Sequence, residues 1–310
     1  MTALSVDNLL QVGFNGLVAG TAYALPAVGL GLILGVSGRF HVAFAVTYTL
    51  AAFVAAWLGT LAGWPFWAAF VAGALAASVV GLAMEVFVYR PLALTAIRTG
   101  GNIFLMTFVA SLGLSIIGRN LIALSVLGTP SVLIAGFSNA RVNLGRVSTT
   151  SLDLAMLVTS WVLLAAVSLL LARTTFGRMV RAVRSNWQMS LCTGIDPRAI
   201  YLAVFALGSF LGGIAAVFQA TKTSATPDMG LVPLFYALVV AFLAGLRTAP
   251  WLVGVAAVAL GLVQNYSSLF LPTQWTPLVA FAILFVYVAL RPLDLGRLIP
   301  ARGRRAARAV

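Results

Sequence analysis

With 62% of its 310 residues hydrophobic and 8% charged, the chain has too few charges to cover a core of this size in water; soluble domains carry roughly 25%. Its net charge of +13 lies between apolar stretches and in the last twenty residues, not along one soluble face, which argues against nucleic-acid binding and for a positive-inside pattern. One cysteine, Cys192, and one histidine, His41, exclude a disulfide framework or a multi-Cys or His-rich metal site within the chain.

The expected fold class is all-α, a polytopic membrane protein with about 8–10 transmembrane helices. A spanning helix needs about 20 apolar residues. In chain order such stretches fall near 9–36, 42–62, 65–88, 102–126, 152–172, 201–221, 231–246, 251–270 and 276–290. The first is too long for the core of a signal peptide and reads as a retained helix. It contains Pro26, so a tilt, kink or interruption is expected there. The seventh and the last are short.

Charge sets the orientation. With residues 173–200 inside, alternation puts Arg39, Arg90, Arg98, Arg173, Arg178, Arg181, Arg184, Arg198, Arg247 and the six Arg residues from Arg291 onward on the inner side. Only Arg141, Arg146 and Lys222 lie outside, and Arg119 falls within a span. The C-terminus is therefore expected in the cytoplasm.

Two connections are long. Residues 127–151 form a polar outer one, rich in Ser, Thr, Gly and Asn. Residues 173–200 form an inner one. There Arg178, Arg181 and Arg184 recur every three residues, while Met179, Val180 and Val183 form another helical face. Gly194 breaks this helix, and Asp196-Pro197 suits the start of the next. A short amphipathic helix in this place either lies on the lipid surface or docks on a soluble partner. The G-x-x-x-G pairs Gly16/Gly20, Gly31/Gly35, Gly59/Gly63 and Gly208/Gly212 barely exceed the three or so that this glycine content gives by chance, so they are weak signals of close packing. The small residues of 208–216 either permit close helix approach or leave room for a solute.

No P-loop, H-E-x-x-H or dinucleotide fingerprint is present, and the six acidic residues are scattered. Glu85, near the inner end of its span with Arg90 close behind, is expected to form an interfacial charge pair or a hydration site; a coupling-ion site is the alternative. Arg119 either reaches the interface or a local partner, or meets an acidic substrate group. His41 is a structural or interfacial residue, or it lines a pathway. Lys222 and the Pro227–Gly230 stretch form a turn, or touch an external partner. This pattern favours transport over catalysis. An ATP-driven mechanism would require a separate subunit. The competing readings are an ion-coupled secondary carrier and a structural membrane subunit; a lipid-modifying enzyme ranks below both, for want of a polar catalytic constellation.

The stretch Thr175-Phe-Gly-Arg-Met-Val-Arg-Ala-Val-Arg184 with Gly194-Ile195 resembles the cytoplasmic segment of the membrane permeases of branched-chain-amino-acid ABC importers. The segment Phe205–Ala215, the turn Pro227–Gly230 and the pattern Glu85…Tyr89-Arg90-Pro91-Leu92 agree in order and spacing. Two elements depart from the family: Arg39-Phe-His-Val-Ala-Phe44 and Ala244-Gly-Leu-Arg-Thr-Ala-Pro250. Both bear on substrate identity. Branched-chain amino acids are the default; other amino acids, amides and small carboxylates are alternatives.

The resemblance implies a single permease domain over 1–310, with a coupling loop at 173–200 and a basic cytoplasmic tail at 291–310. It implies a homologous permease subunit, two cytoplasmic ABC ATPase subunits and a periplasmic solute-binding protein as partners, in a bacterial cytoplasmic membrane. No cofactor is expected on this chain; ATP and Mg would sit on the ATPases. Gly177, Arg178, Arg181, Ala182, Gly194 and Ile195 match the coupling segment, where Gly177 and Gly194 are expected to allow its turns. His41, Gly208, Gly212, Gly213 and Arg247 are the candidates for the pathway or its gate.

Overall fold

The computed structural model describes residues 6–60, 62–125, 140–245, 249–272 and 275–290. Arg247 and the basic tail at 291–310 lie outside these residues. Each of the nine apolar stretches forms a helix. They are α1 (Val6–Ser37), α2 (Phe44–Thr60), α3 (Phe66–Met84), α5 (Ile103–Ser125), α6 (Ser151–Arg173), α9 (Pro197–Thr223), α10 (Leu231–Ala244), α11 (Pro250–Ser267) and α12 (Thr276–Leu290). The connections between them add α4 (Arg90–Thr99), α7 (Thr175–Ser185) and α8 (Trp187–Cys192). By length and composition α1, α5, α6, α9 and the continuous stretch Phe66–Thr99 can each cross a membrane. The chain is a multi-pass, all-α membrane protein.

Three features differ from the sequence expectation. α1 runs through Pro26 without interruption; in lipid, neighbouring helices and local adjustment satisfy the carbonyl that proline leaves free. α3 does not stop near residue 88. A π-helical turn, Glu85–Tyr89, joins it to α4, and Gly100 ends α4 in a left-handed cap. The connection between α5 and α6 contains a small antiparallel hairpin, β1 (Arg141–Leu144) and β2 (Val147–Thr150). Its strands are too short to register as a hydrophobic period. The Gln11 amide of α1 anchors the hairpin by exchanging two 2.9 Å hydrogen bonds with the backbone of Ser148.

α1 and α9 occupy the centre, with α10, α11 and α6 against α1, and α3 and α2 against α9. Lipid tails are as apolar as leucine, so helices in a bilayer associate through close packing and hydrogen bonds. The crossings are built accordingly. Gly29 of α1 faces Gly208 of α9 so closely that a side chain on either would overlap the other's backbone. Gly16 and Gly20 receive α11 at Gly261 and Val258. Gly81 of α3 makes room for Ser209, and Ser78 donates a 3.0 Å hydrogen bond to the Ala206 carbonyl. Of the four G-x-x-x-G pairs, Gly16/Gly20 and Gly208/Gly212 thus sit at real crossings, while Gly63 is a turn residue with open space around it. Phe87, Ile116, Leu121, Val162, Val255 and Phe285 point away from the bundle, where lipid accepts them.

Gly208→Leu is expected to lower thermal stability in detergent by about 1–3 kcal/mol or more, as overpacking does. Gly113→Leu, on an exposed part of α5 with no atom within 4 Å of an added Cβ, is expected to leave it unchanged. Equal melting temperatures for the two variants would contradict the crossing.

Candidate functional site

The connector between α6 and α9 is built of capped helices rather than an irregular loop. Thr174 ends α6 and caps α7: its hydroxyl donates to the Leu170 carbonyl at 2.5 Å and accepts from the Gly177 amide at 3.3 Å. Gly177 lies within α7, and a Cβ there would overlap the backbone of Leu171. It serves close approach of two helix ends, not a turn as expected. The Arg181 guanidinium donates to the Leu171 carbonyl and fastens the same joint. Val180 and Val183 are buried, Met179 and Ala182 partly so, while Arg178 is exposed. α7 packs against α1, α6 and α9.

Asn186 then caps α8, accepting from the amides of Gln188 and Met189 at 3.0 and 3.1 Å. This second short helix exposes Trp187, Met189 and Leu191. Gly194 turns the chain with φ of 79°, a conformation other residues rarely adopt. The Ile195 amide closes that turn on the Ser190 carbonyl at 3.0 Å. The Asp196 carboxylate accepts from the Arg198 amide at 2.9 Å and starts α9. Both ends of the connector therefore pass directly into membrane helices.

Beside the connector the structure joins two motifs that the sequence shows separately. Arg39 and His41 lie in the short link between α1 and α2. The π-turn presents Glu85 and Tyr89 to that link. Glu85 makes a buried salt bridge with Arg39, 46 residues away, and not with Arg90 close behind it. Arg39 also lies over the Tyr201 ring at 5.1 Å. His41 Nδ1 is 2.7 Å from the Tyr89 hydroxyl, and Phe44, Tyr89 and Phe205 surround the ring. Burial pulls the His41 pKa down to about 3, so the ring is neutral at physiological pH. A cavity of about 460 Å³ opens next to the salt bridge, lined by Arg90, Leu94, Ile97, Trp187 and Tyr201.

The other pathway candidates do not converge. Gly208 meets Gly29 and Ile33, Gly212 meets the Phe44 ring, and Gly213 meets Ala74 and Ala77. Two further ion pairs lie away from the connector, one between helices and one between a helix and the turn before α10. Lys222 Nζ of α9 is 2.7 Å from Asp153 Oδ1 of α6. Arg119 of α5 pairs with Asp228, both side chains half-exposed, which resolves Arg119 as locally paired. Sequence reasoning missed the Arg39–Glu85 and Lys222–Asp153 pairs. The only local hint was an ionisable residue at a span end.

Residues 13–288 match the family model described as branched-chain amino acid transport system / permease component. The chain is 27% identical over 306 residues to the high-affinity branched-chain amino acid transport system permease protein BraD of Pseudomonas aeruginosa, covering 94% of this chain and 97% of that one. It is 25% identical to the corresponding LivH protein of Escherichia coli K12, over 93% and 96% of the two chains. The xylose transport system permease protein XylH of the same strain is 28% identical over only 123 residues, 37% of this chain and 31% of its own. No solved structure matches the chain.

Removing one partner of a buried ion pair leaves a charge without compensation and costs about 3–5 kcal/mol, whereas replacing both by apolar residues is often neutral. Glu85→Ala is therefore expected to lower the melting temperature in detergent sharply, and the double variant Arg39→Met/Glu85→Met to recover most of it. A double variant no better than the single one would show that the pair does not hold this link.

Proposed function

The chain belongs to the family of branched-chain amino acid transport system permease components, and from that membership we propose that it is the membrane subunit of an ATP-driven ABC importer for branched-chain or related amino acids. In this reading it works with a homologous permease subunit, two cytoplasmic ATPase subunits and a periplasmic solute-binding protein. It lies in a bacterial cytoplasmic membrane with its C-terminus inside. ATP and Mg are bound by the ATPases; this chain carries no cofactor and conducts no chemistry of its own.

The observation that carries the reading is the connector 175–195. Its apolar face is docked on the bundle, its other face offers Arg178 with Trp187, Met189 and Leu191, and both its ends continue into spans. A protein that pushes on it moves α6 and α9 without slack. Arg178 and Arg181 differ in their work here. Arg178 is free of the bundle and suited to a partner's acidic groups; Arg181 holds the joint to Leu171. Gly177, Ala182, Gly194 and Ile195 shape the connector. His41, Gly208, Gly212, Gly213 and Arg247 remain proposed for the pathway or its gate, with the solute passing between this chain and its permease partner. The Glu85 carboxylate is matched by Arg39, which leaves it unsuited to coupling an ion.

Arg178→Glu is expected to weaken capture of the ATPase subunits at least ten-fold while membrane insertion stays intact. Normal capture and uptake in that variant would remove the coupling role. Thiol or lysine labelling of substituted positions in 175–195 is expected from the cytoplasmic side only. The chain alone in liposomes is expected to show no gradient-driven uptake, and robust uptake there would overturn the ATP-driven assignment.

A further inference from the structure

The outer ends of α1, α6, α9 and α11 line a half-open cavity of about 400 Å³, within the size range of small-molecule sites. It follows α1 from Asn15 to Tyr23, a descent of about 12 Å at 1.5 Å per residue. Polar side chains are costly at membrane depth and tend to line paths or sites. Here they gather on one cavity: Asn15, Tyr23, Asp153, Gln219, Lys222 and Asn265. Between them Val18, Ala22, Met156 and Phe218 form an apolar wall.

The charged part is built rather than incidental. Asp153 lies in the first turn of α6, where Thr150 caps the helix: the Thr150 hydroxyl donates to Asp153 Oδ2 at 2.8 Å and accepts from the Asp153 amide at 3.2 Å. Lys222 approaches the other carboxylate oxygen. The carboxylate is thus fixed and largely buried, with its side chain 12% exposed, while that of Lys222 is 48% exposed. An ammonium has three donors and a carboxylate about four acceptor sites, so each keeps capacity after pairing with the other.

We propose that this cavity receives a zwitterionic α-amino acid with an aliphatic side chain from the outer face, its carboxylate on Lys222, its ammonium on Asp153 and its side chain against Val18, Ala22, Met156 and Phe218. This deepens the amino-acid-permease reading and rests on it. The pair presents one positive and one negative group side by side, the mirror of an α-amino acid's own two charges. A zwitterion matches both without changing the net charge of the site. A bare amine or acid would meet one group and repel the other, so the site discriminates against each. The two residues stand on α6 and α9, the helices that the cytoplasmic connector joins, so a shift of that connector reaches both sides of the bound molecule.

The test uses the full chain in lipid nanodiscs with Cys192→Ser and a reporter, Gln219→Cys, reacted with an impermeant maleimide from solution. Millimolar leucine is expected to slow labelling at least three-fold, while 3-methylbutylamine and 4-methylpentanoate leave it within 1.5-fold. Protection is expected to vanish in Lys222→Met and in Asp153→Asn and to persist in Lys222→Arg, whose retained cation separates recognition from a merely structural link between α6 and α9. Three results overturn the site: no protection by leucine, equal protection by all three compounds, or protection that survives both Lys222→Met and Asp153→Asn. Uptake by the complete transporter in proteoliposomes, measured in parallel, separates the two claims. Leucine uptake without protection overturns this site alone; no uptake of any amino acid overturns the permease reading beneath it.

Discussion

A bilayer gives two apolar helices no hydrophobic reason to meet, and the architecture follows from how this chain answers that constraint. Its central helices approach each other wherever side chains are missing. Gly29 against Gly208 joins α1 to α9, and Gly16 and Gly20 against Gly261 join α1 to α11. Close backbone contact then supplies the dispersion that burial of oil in water would supply in a soluble protein. Phe44, Phe205 and Phe218 fill the space between the helices, while Phe87, Ile116 and Phe285 face outward, where lipid accepts them.

The scarce charges are used with similar economy. Among the described residues every acidic side chain has a defined role. Asp7 faces Arg146, Glu85 pairs with Arg39, Asp153 with Lys222, Asp228 with Arg119, and Asp196 caps α9. Their weights differ. Asp7–Arg146 and Asp228–Arg119 are half or more exposed and contribute little to stability. The Arg39–Glu85 pair is buried and orders the α1–α2 link against the π-turn. π-turns of this kind recur at functional sites because they re-aim side chains within an otherwise regular helix.

One stretch of chain links the two ends of the molecule. α6 begins beside Asp153 and ends at the Thr174 joint; α9 begins at the Asp196 cap and ends near Lys222. Between them the connector is held by caps, by the Arg181 contact and by two buried valines. Only Thr174 separates α7 from α6, and only the turn at residues 193–196 separates α8 from α9. The cavity at Asp153 and Lys222 and the exposed face of the connector therefore lie at the two ends of a single helical hairpin.

Much of this was legible in the residues alone, because hydropathy and helix caps are local properties. Length and apolarity located all nine stretches, Asp196-Pro197 announced α9, and the three-residue recurrence of arginine gave the amphipathic connector. The family followed from short motifs in order. Tertiary structure alone decided which glycines pack and which turn: Gly177 and Gly63 exchange the roles that sequence suggests. It also chose Arg39 over Arg90 for Glu85, and brought Lys222 to Asp153 across 69 residues. Such pairings depend on where distant helices cross, and a crossing is set by the fit of two surfaces, which no single segment contains.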